Sequence, residues 1–230
     1  MGLLEEVKQS MPEPELRAAA GPHEREAAES RVSWTPLARG GGASFCTHAL
    51  RRDRDGRLVF RPTLGFLLFG GLFLLLGLGL AIGIPTALVL GDQATSAGAF
   101  AVPLIGGGIF AGVGGALLAI GARPVVFDPA RGLVWRGWRD PASDDGRSGA
   151  RRMVCRLDQV RAIQLVEETI VSSKGKRYRS TELILVRKDG ERLLIVDHGD
   201  LVRLRRDAAD LAEFLHVPVW ESAATQGNQA

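Results

Sequence analysis

The sequence predicts a membrane protein of the α+β class. A two-helix transmembrane hairpin is followed by antiparallel strands that form a small barrel or sheet, closed by one C-terminal amphipathic helix. Three observations predict this. Residues 64–122 carry a single charge, Asp92, whereas 1–63 carry 10 Lys/Arg and 9 Asp/Glu and 123–230 carry 19 and 16. Beyond residue 123, short apolar runs alternate with polar positions and stop at Gly- or Asp-containing turns. A leucine pattern of helical period begins only after residue 200.

The first span is expected at 64–90, LGFLLFGGLFLLLGLGLAIGIPTALVL. It is uncharged and long enough to cross about 30 Å of hydrocarbon. Pro85 should kink its last turns. The second span is expected at 95–122, glycine-rich and ending at Arg123. The turn at 91–94 is too short to be a domain, so the spans form a hairpin. Arg51, Arg52, Arg54, Arg57 and Arg61 precede the first span, and Arg123, Arg131, Arg136 and Arg139 follow the second. The turn has no Lys or Arg, so both termini are expected in the cytoplasm. The opening MGLLEEVKQ has acids where a basic region belongs and no apolar core behind it, so no signal peptide is expected. Glu6 breaks the myristoylation pattern.

Small residues recur in the spans. Gly79 and Gly83 form one GxxxG; Gly108, Gly112 and Ala116 form a row, with Gly115 in the row beside it. Such rows let helices approach closely in lipid. They suit packing of the spans on each other or docking of another membrane protein.

The flanks divide into smaller parts. Residues 1–43 are rich in Glu, Ala and Pro and are expected to be a disordered tail; 222–230 are read in the same way. Residues 44–63 alternate around the turn DRDG and predict a juxtamembrane β-hairpin. Residues 123–221 hold the strand-rich domain, with a helix at 200–215. In that helix Leu201, Leu204, Ala208, Leu211 and Leu215 share a face, and Arg203–Asp207 and Arg206–Asp210 are placed on the wet side. Trp135 and Trp138, three apart, are expected to face opposite ways.

Chemistry-bearing residues are few. In IVDHGDL (195–201), Asp197, His198 and Asp200 could hold a metal or move protons. Each also has a structural role in the same place. Asp197 ends a strand, His198 sits in the corner, and Asp200 stands where a helix N-cap belongs. Cys46 and Cys155 suit a disulfide, a redox pair or two shielded strand thiols; neither has a neighbour at metal-ligand spacing. Lys174, Lys176, Arg177 and Arg179 cluster in the turn 172–180, where they would either grip anionic lipid or form a solvated hairpin tip. No nucleophile elbow, zinc-protease or phosphate-loop motif occurs. No cofactor, metal or nucleic-acid partner is expected, and the excess of Arg over Lys, 25 to 4, does not change that.

The segments FDPARGLVWRGWR (127–139), LDQVRAIQLVEE (157–168), STELILVRKDGER (180–192) and DLAEFLHVPVWE (210–221), with the two spans, resemble uncharacterised bacterial inner-membrane proteins that carry a two-span hairpin and a cytoplasmic domain like the pleckstrin-homology (PH) fold. A looser likeness, through Phe214-Leu215-His216-Val217-Pro218, is to the photosystem I assembly proteins of cyanobacteria and plastids. The resemblance implies a PH-like β domain at the cytoplasmic face of a bacterial inner membrane. Neither family lends a catalytic residue. The expected function is non-enzymatic: a membrane-anchored interaction or assembly protein whose partners are the bilayer and a membrane protein or a second copy. The alternative is an anionic-lipid-binding module using the basic turn.

Overall fold

The computed structural model describes residues 32–39, 42–91, 96–139, 141, 154–171 and 175–221. The expected tail residues 1–31 and 222–230, most of the interhelical turn and Lys174 lie outside them. The chain forms two compact units, Cys46–Val154, and Met1–Phe45 together with Cys155–Ala230.

The first unit opens with strands β1 (His48–Arg52) and β2 (Leu58–Pro62), paired antiparallel around Gly56. Gly56 sits at φ 76°, a left-handed position that glycine takes without steric cost. The tip is fixed by Asp53, whose Oδ1 accepts from the N–H groups of Asp55 (3.0 Å) and Arg57 (2.9 Å). Thr63 joins this hairpin to helix α1 (Leu64–Leu90). Its N–H donates to Thr47 O (2.9 Å), its hydroxyl donates to Cys46 O (2.7 Å), and the same oxygen caps Phe66 N (3.3 Å). Helix α2 (Ala97–Gly121) then returns the chain to β3 (Val125–Asp128) and β4 (Leu133–Arg136).

Both helices are long and apolar enough to cross a membrane, and only 11% of the apolar window of each is buried. Helix α1 passes through a π-helical turn at Gly79–Gly83, just before Pro85. A proline cannot donate to the ladder and its ring crowds the carbonyl one turn back; the wider turn relieves both. The kink expected at Pro85 is thus met by a π turn ahead of it.

The helices touch through Gly70, Gly77, Gly107 and Gly114. A Cβ on Gly77 would fall 2.6 Å from the Gly107 carbonyl oxygen, one on Gly114 2.7 Å from Gly70 O, and one on Gly107 2.8 Å from Ala81 Cα. These glycines are spaced seven apart on each helix, the spacing of an antiparallel seam with small residues at its core. The expected packing residues are elsewhere. Around Gly79, Gly83, Gly108, Gly112 and Gly115 a Cβ would meet nothing within 4 Å. The four-residue rows therefore lie off the seam, and Ala116, four residues beyond Gly112, continues that row. Phe73 and Phe110 stack across the same helix pair at 5.7 Å.

The strands form two open sheets; of the expected barrel or sheet, the closed barrel is not what forms. The first is ordered β1-β2-β3-β4-β5, with β5 at Val154–Arg156. The 44–63 hairpin is thus part of a larger sheet, because β2 pairs with β3 (Leu58 with Phe127, Phe60 with Val125). Val59, Val126 and Trp135 pack on one face, while Trp138, beyond the end of β4, is 67% exposed. The second sheet is ordered β8-β7-β6-β9, from β6 (Val160–Val171), β7 (Arg177–Arg187), β8 (Arg192–His198) and β9 (Val219–Glu221). Its last pair, β6 with β9, is parallel, which the expectation of a wholly antiparallel sheet did not include. Helix α3 (Leu201–Leu215) carries the chain back along the sheet, so β9 enters in the same sense as β6.

Helix α3 buries Leu204, Ala208 and Leu211 against Ile163, Leu165, Leu183 and Leu185 of the sheet, all fully buried. Asp207 is buried as well, correcting its placement on the wet side. Arg205 clamps the Glu221 carboxylate with two bonds of 3.2 and 3.1 Å and ties the helix to β9.

Gly107→Leu should separate the helices and cost more than about 2 kcal/mol, read as a lowered unfolding midpoint in detergent. Gly112→Leu should shift it by less than about 0.5 kcal/mol.

Candidate functional site

The period of two in β6, β7 and β8 sorts side chains onto the two faces of the second sheet. One face carries Ile163, Leu165, Leu183, Leu185 and Val196 and is covered by α3. The other carries Gln164 and Glu168 on β6, Ser180 and Glu182 on β7, and Arg192 and Asp197 on β8. Gln164, Ser180 and Glu182 are almost wholly buried. What covers them is a strap formed by residues 32–39 and 42–43, from the stretch expected to be a disordered tail. Val32 and Trp34 pack against Ala162, Val186 and Trp220. Glu182 accepts from Leu37 N (2.7 Å) and Ala38 N (2.6 Å). Gln164 Nε2 donates to Ser33 O (3.2 Å), and Arg192 Nη1 donates to Thr35 O (2.8 Å). Tyr178 OH donates to Gly42 O (3.0 Å), and Ala43 forms a parallel bridge with His198. Gly42 has no room for a side chain: a Cβ would meet the Ser180 side chain and, at 2.5 Å, Asp197 Oδ1.

The three polar residues of IVDHGDL part company here. Asp197 faces the strap side, where it accepts a short hydrogen bond from Ser180 Oγ. His198 is fully buried, and its Nδ1 accepts from Asp200 N (3.2 Å). Asp200 Oδ1 caps α3 by accepting from Arg203 N (3.0 Å), as expected from its place before the helix. Neighbouring strand residues point to opposite faces, so Asp197 and His198 cannot share a proton across this geometry.

Asp197 and Glu182 are cross-strand partners. Like charges so placed repel. Glu182 keeps its charge company with two backbone N–H groups. Asp197 has one hydroxyl, and its carboxyl is pushed up to about 6, first by burial and then by Glu182 and Glu168, against the lowering effect of Ser180. Arg192 donates Nε to Gln164 Oε1 (2.9 Å) and is held below its ordinary value by burial, with Glu182 opposing.

Three of the four cations of the basic turn are among the described residues. Arg177 and Arg179 belong to β7, paired in register with Val171 and Thr169, and Arg179 makes an ion pair with Glu167 at 3.4 Å. Lys176 and Arg177 are exposed; Lys174 lies outside the described residues. A denser group of cations, expected from the sequence to lie beside the lipid headgroups or to act as a topology signal, sits in the first unit. Arg51, Arg52, Arg54 and Arg61 line an open groove of about 540 Å³ with Asp53 and Asp55. Four arginines outnumber two aspartates, so the groove is net positive. In the same unit, Arg136 is held below its ordinary value by burial and then by the neighbouring Arg123.

Compared with known proteins, the chain matches no family model and no curated protein sequence.

Cys46 and Cys155 are both free thiols, Cys46 half-buried and Cys155 buried. Burial pushes the Cys155 thiol above its ordinary value, which lowers its reactivity. The strap is not legible in the sequence because its hydrogen-bond partners lie 131 to 157 residues away. The one local hint was Trp34, a large aromatic in a stretch otherwise poor in them.

Asp197 holds its proton more tightly in the folded chain, at about 6, than at its ordinary 3.8. Between these values the folded state binds more protons, so stability falls as pH rises from about 4 to 6 and then levels. Asp197→Asn should remove that fall and leave the chain more stable at pH 7. Water reaching the carboxyl limits the gain to about 1–2 kcal/mol. Denaturant midpoints across a range of about pH 4–8 would read it, and parallel curves for the two chains would contradict it.

Proposed function

We propose that the chain is a non-enzymatic interaction protein anchored in a bacterial inner membrane by the α1–α2 pair. Both termini are cytoplasmic, and the strand-rich part is a PH-like domain held at that face. The carrying observation is the outer surface of the helix pair. Leu68, Leu72, Leu75, Val102, Ile105 and Ile109 are 64%, 63%, 70%, 74%, 64% and 62% exposed. Water would not tolerate this surface on a stable monomer, and hydrocarbon would. The glycine seam supports the same reading, since close backbone approach is how helices associate where lipid removes the hydrophobic drive. For the PH-like part, the supports are the two antiparallel meanders and a single C-terminal amphipathic helix. The non-enzymatic part is supported by the separation of Asp197 from His198.

Expression in a bacterium should place the chain in membranes that resist alkaline carbonate. A thiol reagent should label the Gly91→Cys chain from outside and the Ser222→Cys chain only after lysis. Extraction by carbonate would sink the anchoring.

A second reading is favoured by the arginine-lined groove. It lies on the hairpin that runs into α1, with Arg61 three residues before Leu64, at most about 10 Å of extended chain. A phosphate-bearing lipid headgroup suits four guanidinium groups, each able to fork onto its oxygens. The lipid surface is thereby moved from the expected turn 172–180 to the β1–β2 hairpin. With the chain purified in mild detergent, anionic phospholipid should be retained over zwitterionic. Joint Arg→Gln substitution at 51, 52, 54 and 61 should reduce that retention at least about fivefold, and neutralising Lys176 and Arg177 should not.

A further inference from the structure

The segment 32–38 contains no helix or strand, and none of its residues is buried. It is nevertheless fixed, and its residues alternate in what they do. Val32 and Trp34 fill the apolar patch of Ala162, Val186 and Trp220. Ser33 and Thr35 offer their carbonyls to Gln164 and Arg192, and Leu37 offers its N–H to Glu182, with that of Ala38 beside it. A period of two is that of an extended strand. All four of these bonds go to main chain, so the polar groups of the sheet read backbone rather than sequence.

The groove beneath is costly to build as a permanent core. Gln164 and Glu182 are 0% and 1% exposed, and Arg192 keeps a buried Nη2 donor without a partner among the described residues. Apolar side chains would cover the sheet without the desolvation these groups incur. The covering segment, by contrast, is half-exposed and has no ladder bonds of its own, the profile of a region that opens locally.

We infer that this face of the second sheet is a binding groove for an extended peptide carrying an aromatic anchor, that residues 32–38 occupy it in cis, and that they leave it reversibly. Trp34 is the anchor; Glu182, Gln164 and Arg192 take the main chain. The inference rests on the interaction reading above and gives its partner a chemistry: an extended segment with an aromatic residue flanked by main chain free to bond.

Two measurements on the full chain in detergent test it. In the unaltered protein, the amides of Leu37 and Ala38 should exchange at least about 100-fold faster than those of Leu183 and Leu185 in the same sheet. A labelled peptide of residues 32–39, VSWTPLAR, should bind the Trp34→Ala chain saturably. It should bind the unaltered chain about tenfold more weakly, because the resident segment competes at high effective concentration. Adding Glu182→Gln to Trp34→Ala should weaken peptide binding about tenfold. Strap amides that exchange only together with β7 overturn the inference, and that measurement needs no variant to fold. Absence of saturable binding by a folded Trp34→Ala chain also overturns it. Peptide binding does not depend on insertion in a bilayer, so a chain extracted by carbonate yet binding peptide would sink the anchoring alone.

Discussion

The eleven-residue antiparallel pairing of β6 with β7 sets everything in the second unit. Its register puts Leu165 beside Leu183 and Val166 beside Glu182, so one face is aliphatic and the other holds amide, hydroxyl and carboxylate groups. A slip of one residue would exchange the faces. It would then put Glu182 under α3 and leave the N–H groups of Leu37 and Ala38 without the carboxylate that they bond. The aliphatic face explains why α3 is amphipathic; Asp200 caps its start and Arg205 ties it to β9. The polar face explains why a stretch with almost no aliphatic content, 32–39 with 42–43, is held at all.

In the first unit the corresponding constraint is distance between backbones. Helices that approach until one glycine touches the next helix's carbonyl have no tolerance for a methyl group. The pairs Gly77 with Ala111 and Gly107 with Ala81 step in opposite directions along the two helices, which fixes an antiparallel pair without any polar contact. The π turns at Gly79–Gly83 and Leu117–Gly121 change the helical phase near the ends of that seam. They occur beside Pro85 and just before the chain leaves α2, the two places where a regular α ladder is interrupted or must stop.

What was legible in the sequence follows what is local. The helices could be read because a charge-free run of that length has few structural solutions. The hairpin around Gly56, the N-cap at Asp200 and the opposite facing of Trp135 and Trp138 depend on neighbours within a few residues and are legible, though which tryptophan is buried is not. Nor is the helix seam. Spacings of four and seven both fall near one helical face, and GxxxG drew attention to Gly108 and Gly112 rather than to Gly107 and Gly114. The closed barrel failed because the order of strands does not say where a sheet breaks. Here the break falls between β5 and β6, at the short 3-10 turn Leu157–Gln159. The strap and the arginine groove depend on contacts or shapes that no local window contains.

The two faces of the second sheet also differ in what opening would expose. Lifting α3 would bare Ile163, Leu165, Leu183 and Leu185 together, a loss of apolar burial of several kcal/mol. Lifting the strap would bare Ala162, Val186 and Trp220 on a face that also carries Val166 and Ile184, but it would also hydrate Glu182, Gln164 and Arg192, whose hydrogen bonds water can replace. The Ser180–Asp197 pair tilts the balance further, since an ionised Asp197 beside Glu182 gains from water on that side. The same residues that make the polar face an expensive core make it an inexpensive surface. The sheet is thus closed permanently on one side and conditionally on the other, and the condition is set by main-chain hydrogen bonds to Glu182, Gln164 and Arg192.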